Sequence, residues 1–217
     1  MPRNHYTGSI APRVPGAPGQ VCGRLGCIVM PRFRKPVWGL IFAALTVALL
    51  LVPLPWADRT SIHDEVVIAR TPAEVFDYIA TPQHWPAWYP ASGAVAGATD
   101  HPLALGERVA ESFVAGERSA VVIWTVTINQ RPRVWAIAGE VPGGRRAGTI
   151  TYKLTPAMTP SLTPSAESTR FEREFSYQSP TLLFALLNRL MLRSRLQSES
   201  AEAVRRLKAR LEAPQAP

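Results

Sequence analysis

Glu111 and Arg173 are the two residues of this sequence best placed for acid–base or charge-based chemistry. Both are predicted to fall on the apolar side of a β-strand, where an unpaired charge is costly. We expect them to approach each other and either orient the polar head of a ligand or support the wall of its site. The alternative is a register that differs by one residue, which would place both side chains in solvent.

Two further side chains have useful donors or acceptors. His84 lies beside an aromatic cluster over 85–89 and would suit an acid or base at the mouth of a cavity, although it equally fits an ordinary loop histidine. Tyr152 could donate a hydrogen bond to a carbonyl group of a ligand, or satisfy a backbone group instead. An acid–base enzyme would require these groups to converge on one site.

The rest of the sequence offers no catalytic or metal-binding pattern. It lacks a phosphate-binding glycine loop, a nucleophile elbow and a His-Glu zinc helix. Cys22 and Cys27 have no second cysteine pair or histidine nearby, and His63 with Asp64 lacks the spacing of metal ligands. We predict no catalytic residue, no metal ion and no cofactor. Enzymatic activity stays open at this point, with a binding role favoured.

The elements that must position these residues follow from alternation and turn signals. A strand over 61–69 precedes a helix that Thr71 and Glu74 cap together, with Pro72 in its first turn. A second short helix begins at Pro82. The strands predicted next, joined by short turns, cover 93–99, 107–114, 119–129, 134–141, 148–155 and 167–177. This order indicates an α+β protein with its helices on one face of an antiparallel sheet.

A long terminal helix completes the predicted domain. We expect Ser179 to cap it, Pro180 to occupy its first turn and Glu212 to lie near its end. The first half of this helix is apolar on nearly every side, which predicts a buried segment. The second half has a single apolar stripe and is otherwise polar.

Large side chains on the inward face of the sheet and on this helix are predicted to line a hollow. Such a hollow would suit a flat or lipid-like ligand, whereas the simpler alternative is that the rings fill a solid core. The residues predicted to line it are Trp85, Trp88, Tyr89, Glu111, Phe113, Trp124, Trp135, Tyr152, Phe171, Arg173, Phe175, Leu183, Leu187 and Met191.

Five segments of the sequence resemble the START/Bet v 1-like (SRPBCC) superfamily, in particular its polyketide cyclase/dehydrase and lipid-transport branch. They are IARTPAEVFDYI (68–79), WPAWYP (85–90), GTITYKLTP (148–156), STRF (168–171) and SAEAVRRLKARLE (200–212). The resemblance implies a helix-grip fold, in which a seven-stranded antiparallel sheet wraps on a long C-terminal helix around a ligand cavity. It brings no universal catalytic motif, so it assigns no catalytic residue.

The N-terminal part differs in composition from the rest. Residues 1–36 hold six basic residues and no acid, which predicts a disordered basic tail. The remainder carries 18 basic and 16 acidic residues, so we predict no nucleic-acid partner. The uncharged apolar run in 37–56, with Trp38 and Trp56 near its ends, predicts a transmembrane helix or, alternatively, a cleaved signal segment. Basic residues before this run would place the folded domain, 58–213, outside the cytoplasm.

Three functions follow from these features. The favoured one is a membrane-tethered module that binds or transfers a hydrophobic small molecule or lipid, on the extracytoplasmic side of the cell membrane or secreted after signal cleavage. The second is a cyclase or dehydratase that uses the same cavity. The third is a non-catalytic protein-interaction domain with a filled interior and an exposed apolar patch on its terminal helix.

Overall fold

The computed structural model of the chain describes residues 35–53, 59–115, 118–157 and 167–213. Most of the predicted tail over 1–36, and most of the loop over 156–166, lie outside the described residues. The chain divides into two compact units, Met1–Ala43 and Ala44–Pro217. Helix α1 (Lys35–Leu50) begins in the first unit and ends in the second. All the other described elements belong to the second unit.

One antiparallel sheet of seven strands forms the body of the second unit. The strands lie in the order β1-β7-β6-β5-β4-β3-β2, so the first two strands of the chain form opposite edges. This arrangement confirms the predicted α+β fold with a seven-stranded sheet and a long C-terminal helix. The strands are β1 (Arg59–Ile68), β2 (Ser92–Gly97), β3 (Arg108–Ala115), β4 (Arg118–Gln130), β5 (Val134–Val141), β6 (Arg145–Ala157) and β7 (Ser168–Gln178).

Helix α2 (Pro72–Ala80) begins where the sequence indicates. The Thr71 hydroxyl accepts a hydrogen bond from the Glu74 amide at 3.2 Å, and the Glu74 carboxylate accepts one from the Thr71 amide at 2.9 Å. These two bonds form the predicted capping box. The helix buries Val75, Phe76 and Ile79, and a 3₁₀ turn (Pro82–His84) then leads into the short helix α3 (Trp85–Trp88).

Strand alternation decides which side chains face the helices. Trp124 and Val126 of β4 are buried on the inner face, as alternation predicts. A register shift against β5 then falls between Val126 and Ile128, and Ile128 is 37% exposed. A bulge therefore ends the simple period-two pattern near the end of this strand.

The terminal helix has three parts and begins later than predicted. Thr181, rather than Ser179, is its N-cap, and its hydroxyl accepts from the Phe184 amide at 3.2 Å. Helix α4 (Leu182–Leu187) leads into a π-helical turn (Asn188–Leu192) and then into helix α5 (Arg193–Glu212). The residues that α5 buries are Ser200, Ala203, Val204 and Leu207.

The apolar first half of this helix is exposed, contrary to the prediction. Leu190 and Met191 are 67% and 69% exposed, and Leu186 and Leu187 are about half exposed. The π-helical turn instead buries Asn188, whose amide nitrogen donates to the Thr60 hydroxyl at 2.8 Å and whose amide oxygen accepts from the Tyr177 hydroxyl. Polar contacts, rather than leucine packing, therefore fix this segment against β1 and β7.

The described part of the apolar segment over 37–56 forms helix α1, which has 16 residues and ends at Leu50. Across the described ranges, we find no helix whose length and apolarity would let it cross a membrane.

Candidate functional site

A cavity of about 340 Å³ lies between the inner face of the sheet, helix α3 and the start of helix α5. This volume falls at the lower end of the range of small-molecule sites, which is about 300–1,000 Å³. Aromatic and aliphatic side chains form most of its wall, and a few polar groups interrupt them. The cavity is lined by Trp85, Trp88, Tyr89, Ala91, Glu111, Phe113, Val122, Trp124, Ile137, Ala147, Ile150, Tyr152, Arg173, Phe175, Leu192, Arg195, Leu196 and Glu199.

Two glycines paired across β5 and β6 allow the cavity wall to form. A Cβ atom on Gly139 would lie 2.7 Å from the Trp124 ring, and one on Gly148 would lie 2.6 Å from the Phe175 ring. Gly148 also has a φ of +147°, which side chains rarely adopt. Both rings therefore lie against bare backbone, and their place on the wall depends on these two glycines.

Glu111 is a buried carboxyl group in the cavity wall. It is 3% exposed, and its Oε2 accepts a hydrogen bond from the Trp124 indole at 2.7 Å. Burial raises the pKa of this carboxyl from its ordinary 4.5 to about 7, because the ionised form loses its hydration, while the nearby Ser92 hydroxyl, the hydrogen bond from Trp124 and the charge of Arg173 act in the opposite direction. Glu111 is therefore poised to exchange a proton near neutral pH.

Arg173 is a buried cation on the same wall. It is 1% exposed, and its guanidinium donates to the Ser200 hydroxyl at 2.6 Å. That hydroxyl in turn donates to the Asp64 carboxylate, so the Arg173 charge reaches an acid through one intervening group. The guanidinium carbon also lies 5.2 Å from the ring centre of Tyr89, within the range of a cation–π contact.

The predicted approach of Glu111 and Arg173 is met only in part. Both line the cavity, and the Arg173 charge lowers the Glu111 pKa against the larger effect of burial. Among the described residues, however, neither forms an ion pair. Tyr152 lies beside them, and burial raises the pKa of its hydroxyl to about 12, so this group stays protonated and able to donate.

Most of the residues predicted to line the hollow are brought together there. Those that do line the cavity are Trp85, Trp88, Tyr89, Glu111, Phe113, Trp124, Tyr152, Arg173 and Phe175. Trp135 and Phe171 lie instead in the packed core, both fully buried. Leu183, Leu187 and Met191 are also absent from the wall, whose residues from the terminal helix begin at Leu192.

Sequence reasoning missed the helical side of the wall. This side is formed by residues that recur at the spacing of one helix face, Leu192, Arg195, Leu196 and Glu199. The spacing is visible in the sequence, but the leucine run before it is more apolar and led to the prediction of the wrong segment. Arg195 Nε lies 2.9 Å from Glu199 Oε1, and the Arg195 side chain is 62% exposed. This pair therefore forms a polar rim of the cavity that faces solvent.

His84 does not contribute to the cavity. Its ring stacks on Tyr78 at 4.3 Å between ring centres, and its Nδ1 lies 3.1 Å from the Tyr78 carbonyl oxygen. The interpretation of this residue as an ordinary loop histidine fits these contacts. No group of three or more potential metal ligands occurs in the part of the chain that the structure describes.

A seven-stranded sheet, a long terminal helix and an apolar cavity between them define the helix-grip class of protein. Residues 59–212 match the family model described as polyketide cyclase / dehydrase and lipid transport. The chain therefore belongs to that family, and the resemblance to the SRPBCC superfamily is confirmed. No curated protein sequence matches this chain.

Solved structures with the same fold are distant in sequence. Truncated norcoclaurine synthase from Thalictrum flavum is 16% identical, with 75% of this chain and 100% of that chain covered and a TM-score of 0.51. TTHA0849 from Thermus thermophilus is 14% identical, with 70% and 97% covered and a TM-score of 0.51. The di-domain ARO/CYC BexL from the BE-7585A biosynthetic pathway is 16% identical, with 70% and 46% covered and a TM-score of 0.51. At these identities the likeness establishes the fold.

Proposed function

We propose that the domain binds a hydrophobic small molecule or lipid in its cavity and that holding or transferring this molecule is its activity. The observation that carries the proposal is the 340 Å³ space itself, enclosed mainly by aromatic and aliphatic side chains. Replacing water at such surfaces with an apolar guest is favourable, because it removes apolar surface from water. Membership of a family described by both cyclisation and lipid transport is consistent with this role.

Native mass spectrometry of the full chain purified from cells tests the proposal. We expect a bound molecule of a few hundred daltons that is released on denaturation. Ala147→Phe places a ring in the cavity and should abolish the added mass. Ala138→Phe is the matched control, because Ala138 pairs with Thr125 and Thr149 on the outer face of the sheet. An unliganded wild-type chain, or equal loading of both variants, would argue against the proposal.

A second candidate is an acid–base enzyme that uses the same cavity. Glu111, with a pKa of about 7, faces the same space as Tyr152 and Arg173, which is the convergence such chemistry requires. Incubation of the wild type with the guest extracted from Glu111→Gln separates this candidate from a carrier. An enzyme would convert that guest into a product with a different mass or chromatographic retention, whereas a carrier would return it unchanged.

We also propose that the apolar segment within 37–56 attaches the domain to the cell membrane, with the domain on the extracytoplasmic side. The support is the exposure of its large side chains, among them Leu40 at 71% and Phe42 at 74%. Flotation of the full chain with neutral phosphatidylcholine vesicles tests this, and a Leu45→Arg variant should float less. Equal flotation would contradict attachment through this segment, and a native N-terminus beyond residue 56 would indicate cleavage and secretion.

We propose a second contact with the same membrane, in which the exposed face of helix α4 and the π-helical turn lies on anionic lipids. Leu190 and Met191 are exposed there, and Arg189 and Arg193 flank them without an acid between residues 182 and 198. A Leu190→Glu, Met191→Glu double variant should lose the additional flotation that phosphatidylglycerol gives the wild type. Unchanged flotation would contradict contact of this face with anionic lipid and leave the interaction-domain alternative in place.

A further inference from the structure

The cavity wall contains a positive charge that no described carboxylate contacts directly. Arg173 is almost fully buried, yet it takes part in none of the ion pairs among the described residues. Its guanidinium donates to the Ser200 hydroxyl, which in turn donates to Asp64, and its Nε has no acceptor. A buried guanidinium with an unused donor is costly to maintain, so a counter-charge supplied by a ligand would stabilise it.

A second unused donor lies on the same wall. The Trp85 indole donates to the Ile79 carbonyl at 2.8 Å and the Trp124 indole donates to Glu111 at 2.7 Å, as buried indoles normally do. The Trp88 indole is buried and has no acceptor. Trp88 and Arg173 both line the cavity, so each contributes an unsatisfied donor to a wall that is mostly apolar.

Asp64 reaches Arg173 only through Ser200, and the charged and titratable groups of the wall supply no carboxylate in direct contact with the guanidinium. Glu111 accepts from Trp124, and burial raises its pKa to about 7, which favours its neutral form below that pH. Glu199 is paired with Arg195 at the solvent-facing rim. Tyr89 covers the Arg173 guanidinium with its ring, and burial raises the pKa of its hydroxyl, so it too remains uncharged.

We propose that the molecule bound in this cavity is an apolar carboxylate and that Arg173 and Trp88 hold its carboxylate group. A carboxylate is planar and presents two acceptor oxygens, which matches the donor geometry of a guanidinium. Its apolar body would occupy the space between Phe113, Trp124 and Phe175. This inference rests on the proposed function, since it assumes that the cavity takes up a small molecule.

Displacement of the neutral dye N-phenyl-1-naphthylamine from the full chain tests the proposal with a matched pair of competitors. Decanoic acid and 1-decanol share one apolar chain and differ in the charged group. We expect decanoate to displace the dye from the wild type at a concentration at least about tenfold lower than decanol, the usual effect of a charge-assisted hydrogen bond. Arg173→Met should remove this preference while the decanol affinity stays within about threefold.

Two further variants keep the test decisive if Arg173→Met does not fold. Trp88→Phe removes one donor and keeps the ring, so decanoate affinity should fall by about three- to tenfold with little change for decanol. Arg173→Lys keeps the charge and should retain part of the preference. Each folded variant is confirmed by its thermal unfolding transition.

The outcomes separate this inference from the proposed function. Equal displacement by decanoate and decanol, or a preference that survives in the Arg173 and Trp88 variants, would overturn the carboxylate site while the cavity remains a binding site. Failure of the wild type to bind the dye, or equal dye binding by Ala147→Phe, would overturn the proposed function itself.

Discussion

The inner face of the sheet has a filled end and a hollow end, although both are built from large apolar side chains. At the filled end, Leu154 and Phe171 are buried, as is Leu207 of helix α5, and none of the three belongs to the cavity wall. At the hollow end, Phe113 and Trp124 line the cavity, to which the terminal helix contributes Leu192 and Leu196 beside Arg195 and Glu199. Both ends carry rings on their strands, which shows that ring-rich strands alone do not decide between a core and a cavity.

The largest difference in stability between the two ends is expected when one ring at each end is truncated. Phe171→Ala leaves a void in close-packed surroundings and should lower the free energy of unfolding by about 3–5 kcal/mol. Phe175→Ala, on the cavity wall, should cost about 1 kcal/mol or less, because its neighbours already border empty space. Urea denaturation measures both. Similar losses for the two variants would mean that the hollow end is packed as tightly as the filled end.

Glu111, which lies at the hollow end, should make the stability of the folded chain depend on pH. Its pKa is raised from 4.5 to about 7 on folding, so between these values the folded chain binds more protons than the unfolded chain. Stability is therefore lost as pH rises through this window, by on the order of 3 kcal/mol in total.

Glu111→Gln keeps an acceptor for the Trp124 indole and removes the titration. Relative to the wild type, this variant should gain stability between pH 4.5 and pH 7 and keep a constant difference above that range. Urea denaturation at several pH values gives the comparison. Parallel profiles for the two proteins would show that Glu111 ionises freely and lies in a wetter place than the cavity wall.

A methyl group at Gly139 should disturb the hollow end without filling it. The added Cβ would lie 2.7 Å from the Trp124 ring and 2.8 Å from Val122, so the ring must move. We expect Gly139→Ala to cost about 1–3 kcal/mol and to shift the tryptophan fluorescence. Ala138→Val, on the outer face, is the control and should stay within about 0.5 kcal/mol. A neutral Gly139→Ala would mean that the Trp124 ring is loosely held.

The smallest effect is expected on the exposed leucine-rich segment. Leu190→Ser and Met191→Ser should each change the free energy of unfolding by no more than about 0.5 kcal/mol, because both side chains are already exposed. Burial of this segment, as its composition alone suggests, would instead give losses of about 2–5 kcal/mol per residue on truncation. Thermal and urea unfolding of the full-length variants measures the difference.

The sequence was sufficient for the fold because local signals agree with one another. The Thr71–Glu74 capping box, the strand alternation and the turn residues each point to the same order of elements, and the structure contains that order. Alternation also placed Glu111, Phe113 and Trp124 on the correct face of the sheet. These predictions succeed because each depends on neighbours within a few residues.

The parts that could not be predicted depend on distant contacts. Trp135 and Phe171 have the same inward orientation as the cavity residues, and only the three-dimensional packing around them decides that they are core. The burial of Asn188 in place of the leucines around it depends on Thr60 and Tyr177, which lie on two other strands. The residues that α5 contributes to the cavity wall likewise depend on how the whole helix packs against the sheet.

The most direct test of the hollow end is a stoichiometric titration of the full chain with N-phenyl-1-naphthylamine. We expect one saturable site per chain in the wild type and in Ala138→Phe, and loss of that site in Ala147→Phe with the unfolding transition retained. Identical titrations of the wild type and Ala147→Phe, or no saturable site in the wild type, would contradict a cavity that accepts an apolar guest.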